Sequence, residues 1–148
     1  MNSNLARNII KGCAIILCIL FFTCPLVQCS QDSSINASGL EIATGTGKLF
    51  SKGDSGNPVV FVLIIIPVVL LILAFKNKSF AVLSYVSIAG LVAKIIFTTY
   101  VFVLLNSDKY KGAFELTVFN WLILALYIGL CVFVHHCKNH IEEDSDVT

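Results

Sequence analysis

Two short stretches of this chain concentrate side chains that could hold a metal or carry thiol chemistry. "CVFVHHCKNH" (Cys131–His140) contains Cys131, His135, His136, Cys137 and His140. His136 and His140 stand four residues apart, which places them on one helix face at a spacing that metal sites use. The stretch has no Cys-x-x-Cys pair and no zincin glutamate, so no recognised metal motif is complete. The alternative reading is a helix end at the membrane surface, where the negative end of the helix dipole favours cations. That is the reading adopted, and neither a metal nor a cofactor is expected. The second stretch, "CPLVQC", makes Cys24 and Cys29 a candidate disulfide in an oxidising compartment. A disulfide needs α-carbons within about 7 Å. Five residues of helix put the two on different faces, so Pro25 or an unwound end would have to bring them together. A quinone-coupled thiol oxidoreductase would also want a cysteine relay partner, and the stretch Ser107–Glu115 has none.

A third set is polar rather than nucleophilic. Lys94 stands in the middle of "SIAGLVAKIIFTTYVF" (Ser87–Phe102). Ser84, Ser87, Lys94 and Thr98 recur at helical spacing and share one face, with Gly90 and Ala93 close to it. Asn120 and Tyr127, together with Cys131, share a face of the following apolar segment. A lysine at the centre of a membrane helix costs about 2.5–3.5 kcal/mol on insertion scales. Lys94 lies roughly 16 Å or more from either end of its segment, given a rise of about 1.5 Å per residue. Reaching the surface along its own stem is therefore a poor escape. The expectation is that Lys94 turns into a bundle level with Tyr127. There it would approach Tyr127, Ser87 or Thr98, or a carbonyl freed near Pro67. The face Ser84, Ser87, Lys94, Thr98, Asn120, Tyr127 reads first as polar glue between helices and second as a solute path.

These residues must be positioned by apolar elements. Hydrophobic residues make up 57% of the 148 and charged residues 13%. A soluble domain averages roughly 45–50% and about 25%. The excess falls in blocks, so the expected solvent is a lipid bilayer. The backbone inside a bilayer must satisfy its own hydrogen bonds, which makes each block a helix. The expected architecture is all-α: a single membrane domain, 1–148, built as a four-helix transmembrane bundle. Its helices are expected at about 9–28, 58–75, 80–105 and 116–136. An extracytoplasmic loop covers 29–57, and an acidic cytoplasmic tail covers 137–148. That loop, rich in Ser, Gly, Thr and Asn, is long enough to carry a short helix or hairpin over the bundle's mouth. The first helix is expected to be retained; a cleaved signal peptide and a lipoprotein leader are the alternatives. Arg7 and Lys11 before the first helix, and Lys76 and Lys78 in a short turn, place both termini in the cytoplasm.

The sequence "PLVQCS" followed by "SGLEIATG" (Ser38–Gly45) resembles a group of small bacterial four-span inner-membrane proteins. Those proteins share a cysteine at the outer end of the first helix and an SG-x-x-x-ATG outer loop. The resemblance implies a helical protein of the cytoplasmic membrane and implies no activity. A net charge of +1 gives no case for nucleic acid. No phosphate loop, dinucleotide fingerprint or nucleophile elbow is present. No acidic residue falls inside an expected span, which argues against a proton-coupled transporter. The leading expectation is a non-enzymatic accessory or interaction protein. Its partners are the bilayer and a membrane protein or a second copy of itself. The alternatives are a small transporter or channel subunit using the Lys94 face, and a thiol or metal-binding membrane protein.

Overall fold

The computed structural model describes residues 3–46, 56–106 and 112–141. The elements run α1 (Ser3–Thr23), β1 (Pro25–Cys29), β2 (Asn36–Ser38), α2 (Gly39–Thr44), a 3-10 turn (Pro58–Phe61), α3 (Val62–Phe75), α4 (Phe80–Leu105), β3 (Phe114–Leu116) and α5 (Val118–Ile141). The chain is mostly helical, with one small sheet. Among the described residues three helices, α1, α4 and α5, are long and apolar enough to cross a membrane, whereas the apolar helix Val59–Phe75 is shorter.

The long helices form a ring in which α1 and α4 each pack against both α3 and α5. α1 buries Ala6, Ile10, Ala14, Leu17 and Phe21, a single stripe at three- and four-residue spacing. α5 does the same with Asn120, Ile123, Tyr127, Leu130, Val134 and Cys137. The opposite faces are equally apolar: Ile19, Ile65, Ile96, Phe102 and Val132 are all exposed. Only 28–33% of the apolar windows of the long helices is buried. A soluble protein seldom presents so much contiguous apolar surface, so the outer face suits lipid.

α1 ends at Thr23, five residues short of the expected boundary, because Pro25 carries no N–H and pushes Cys24 out of the helical region. Pro25–Cys29 continues as the central strand of a three-stranded antiparallel sheet ordered β2-β1-β3. Val27 pairs with Ala37 on one side and with Leu116 on the other. The expected loop 29–57 therefore carries both a strand pairing and a helix. The motif "SGLEIATG" is α2 with its caps. Ser38 is the N-cap, and its hydroxyl accepts from the Glu41 N–H while the Glu41 carboxylate accepts from the Ser38 N–H at 2.8 Å. Gly45 closes the helix in the left-handed region at φ 71°. Gly39 lies against the Phe21 ring, where an added β-carbon would come within 2.5 Å of ring carbon, and so seats α2 on the end of α1.

α3 stops in a Schellman motif. Asn77 adopts φ 49°, the Lys78 N–H reaches the Leu73 carbonyl at 3.1 Å and the Asn77 N–H reaches Ala74. Ser79 then caps α4. The last helix starts at Val118 rather than 116, since Phe114–Leu116 pair with β1. It runs to Ile141 rather than 136, because the polar residues from His135 onward project from its exposed face and leave the backbone ladder intact. Residues 137–141, expected in the tail, are thus helical. The rest of that tail, 142–148, and loop residues 47–55 lie outside the described residues.

Candidate functional site

The polar face read from the sequence comes together between α4 and α5. Ser84, Ser87, Lys94, Thr98, Asn120 and Tyr127 are all buried. Lys94 is 1% exposed and Asn120 0%, so the only charged side chain of α4 is sealed inside the ring. The Lys94 ammonium donates to Asn120 Oδ1 at 2.5 Å and lies 5.0 Å from the centre of the Phe97 ring. Both contacts favour a cation or amine donor.

The partner of Lys94 is Asn120, where the level-residue argument led us to expect Tyr127, Ser87 or Thr98, or a carbonyl freed near Pro67. With residues 114–116 drawn into the sheet, α5 is displaced along α4, and Tyr127 lies level with Gly90, one helical turn before Lys94. Tyr127 takes the role anticipated for the lysine. Its hydroxyl donates to the Leu63 carbonyl at 3.0 Å. Leu63 is the residue four before Pro67, so its carbonyl is the acceptor that the missing proline N–H leaves unpaired. Gly90 makes the approach feasible. A β-carbon there would stand 2.6 Å from the Tyr127 ring and 2.9 Å from Ile66.

The remaining members are local. Ser87 donates to the Ser84 carbonyl at 2.9 Å and approaches Cys131 Sγ at 3.7 Å. Thr98 Oγ1 and Asn120 Nδ2 are buried and find no partner among the described residues. Around Lys94 the side chains thus offer more donors than acceptors. Phe97 links this cluster to a groove of about 430 Å³ between the start of α3 and the C-terminal half of α4, lined by Asn57, Val59, Leu63, Ala93, Phe97 and Tyr100. Sequence reasoning missed Phe97, which no spacing rule marks as a cation's neighbour. It also missed Thr117, whose hydroxyl donates to the Pro25 carbonyl and accepts from Asn120 N–H. A threonine three residues before Asn120, at the head of an apolar run, is an N-cap signal that could have been read.

The cysteine and histidine stretches are not assembled into sites. Cys24 and Cys29, the candidate disulfide, stand as free thiols in the structure. Cys24 follows the end of α1 and β1 then runs extended to Cys29, so five residues at about 3.3 Å each carry the two far beyond disulfide reach. In α5, Cys131 and Cys137 are buried, whereas His135, His136 and His140 are exposed. The His136 and His140 rings meet at 4.3 Å between centres. Among the described residues, no three potential ligands gather at one point. No protein-family profile matches the chain, and neither does any curated protein or solved structure.

Proposed function

We propose that this chain is a four-span protein of the cytoplasmic (inner) membrane, with both termini in the cytoplasm. It acts without enzymatic chemistry, as an accessory or interaction protein for another membrane protein or for a second copy of itself. The fourth span is α3 extended by its 3-10 turn. Together they give 18 residues, against the roughly 20 that cross a core of about 30 Å. The observation that carries the reading is the use of the buried polar groups. Lys94 bonds α4 to α5, and Tyr127 bonds α5 to α3. Both are spent in holding the ring together, which leaves the apolar outer face and the small sheet as the surfaces open to a partner.

A transporter or channel subunit is the second reading. It is favoured by Asn120 Nδ2 and the Thr98 hydroxyl, on the Lys94 face, which find no partner among the described residues, since buried polar groups inside a membrane mark solute paths as well as packing contacts. Reporter fusions at Ser51 and Thr148 are expected to report opposite sides of the membrane; the same side for both would remove the fourth span. Photoreactive residues at Ile96, Leu122 and Ile128 are expected to give one discrete adduct of constant identity. No adduct at any position, together with solute flux in proteoliposomes that Lys94→Met abolishes, would replace the interaction reading with the transporter reading.

A further inference from the structure

The end of the ring opposite the sheet carries a concentration of positive charge. Arg7 and Lys11 stand one turn apart on α1 and face the turn between α3 and α4. An Arg7 Nη1 hydrogen donates to the Lys78 carbonyl at 2.6 Å, and the guanidinium lies 4.8 Å from the centre of the Phe80 ring. The Lys11 ammonium lies 4.4 Å from the centre of Phe75. Lys76 and Lys78, in the same turn, are exposed. Four cations therefore share one corner, and Lys138 rests on Tyr85 further round the same end of the ring. The acidic side chains among the described residues are Asp32, Glu41 and Glu115, all in the sheet and α2 region at the opposite end.

From this charge imbalance we infer that the corner formed by Arg7, Lys11, Lys76 and Lys78 seats the phosphodiester headgroup of an anionic phospholipid. The arginine contributes a planar fork of five N–H donors, of which the Lys78 carbonyl takes one. The lysines supply mobile point charges. The rings of Phe75 and Phe80 hold the Lys11 and Arg7 heads at the end of the apolar zone, the depth at which lipid phosphates lie. One turn further into the apolar zone, Ile15 on α1 and Ile72 on α3 are exposed apolar side chains against which the acyl chains can lie. A cluster of four to eight basic residues beside a membrane helix has the composition that attracts anionic lipid. The inference rests on the four-span reading, because only a crossing α3 returns the α3–α4 turn to the Arg7 end of α1; fusions that report opposite sides while the lipid titration shows no preference would overturn the lipid site alone.

The test uses the full chain in detergent, titrated with short-chain phosphatidylglycerol or phosphatidylcholine and read by native mass spectrometry. Preferential retention of one phosphatidylglycerol is expected. Its affinity should fall roughly fivefold for each neutralised cation in Lys76→Gln and Lys11→Gln, and it should weaken with added salt. Lys76 is exposed, so its variant is expected to fold normally. Equal retention of the two lipids, or unchanged affinity in both variants, would overturn the inference. Displacement of the lipid by equimolar inorganic phosphate would make the ligand a soluble anion and would also overturn it. A preference that appears only after removal of the acidic residues 142–148 would mean that the tail fills the corner in the intact protein, with the same consequence.

Discussion

Lys94 and Asn120 are unequal partners. Asparagine can lose its lysine and keep a neutral amide, whereas the lysine cannot lose Asn120 without leaving its amine buried against Phe97 alone. An unsatisfied buried polar group costs about 1–3 kcal/mol, and more when charged. Asn120→Leu is therefore expected to destabilise the protein more than Lys94→Met. The double variant should recover part of the loss, because an apolar pair replaces a polar pair of similar shape. Unfolding of the purified protein in mixed micelles measures all three; the reverse order would mean that the Lys94–Asn120 bond does not carry the seam. Tyr127 gives a second residue-scale test. Tyr127→Phe is expected to cost about 1 kcal/mol in the native background. It should cost much less in Pro67→Ala, where residue 67 regains the N–H that can pair with the Leu63 carbonyl. Equal costs in the two backgrounds would show that Tyr127 does not serve the carbonyl freed by the proline.

At the scale of elements, the informative feature is the point where α1 gives way to β1. The apolar run continues through "PLVQC", and hydropathy alone reads it as helix. The backbone changes state because Pro25 stops the helix, and Leu26 and Val27 then find partners in β2 and β3. Strand geometry keeps the thiols of Cys24 and Cys29 apart. After mild oxidation of membranes, alkylation and mass analysis should find both cysteines free, and a closed Cys24–Cys29 bridge would rule out β1. α2 shows the converse, a short element spelled out locally. Its N-cap serine, its glutamate three residues later and its closing glycine are each visible in Ser38–Gly45. Ser38→Ala is expected to cost about 1 kcal/mol through loss of the cap, seen as faster amide exchange across residues 39–44 with the exchange of α4 and α5 unchanged.

At the scale of the molecule, the cap and the ring are joined at a few contacts. Gly39 rests on Phe21, Thr117 bonds to Pro25, and the Asn57 N–H bonds to the Ile42 carbonyl at 2.9 Å. Gly39→Val would drive a side chain into the Phe21 ring. We expect it to release β2 and α2 from the end of α1 while the four helices stay packed. The readout is protease cleavage near residues 36–46 with unchanged helical content; loss of the whole fold would mean that the cap and the bundle form one cooperative unit.

The sequence by itself determined that the chain builds long apolar helices, where α4 begins and ends, and that Ser84, Ser87, Lys94, Thr98, Asn120 and Tyr127 turn inward. Apolar block length and helical periodicity are local properties, and a bilayer leaves a buried lysine few other directions to point. Partnership was not legible. Whether Lys94 meets Tyr127 or Asn120 depends on the axial offset between α4 and α5. That offset is set by β3 pairing with a strand some ninety residues earlier in the chain, a contact that neither helix encodes. For the same reason Tyr127, rather than Lys94, took the carbonyl opposite Pro67, and the cysteines and histidines of residues 131–140 were divided between the two faces of a helix that did not stop where its apolar run did.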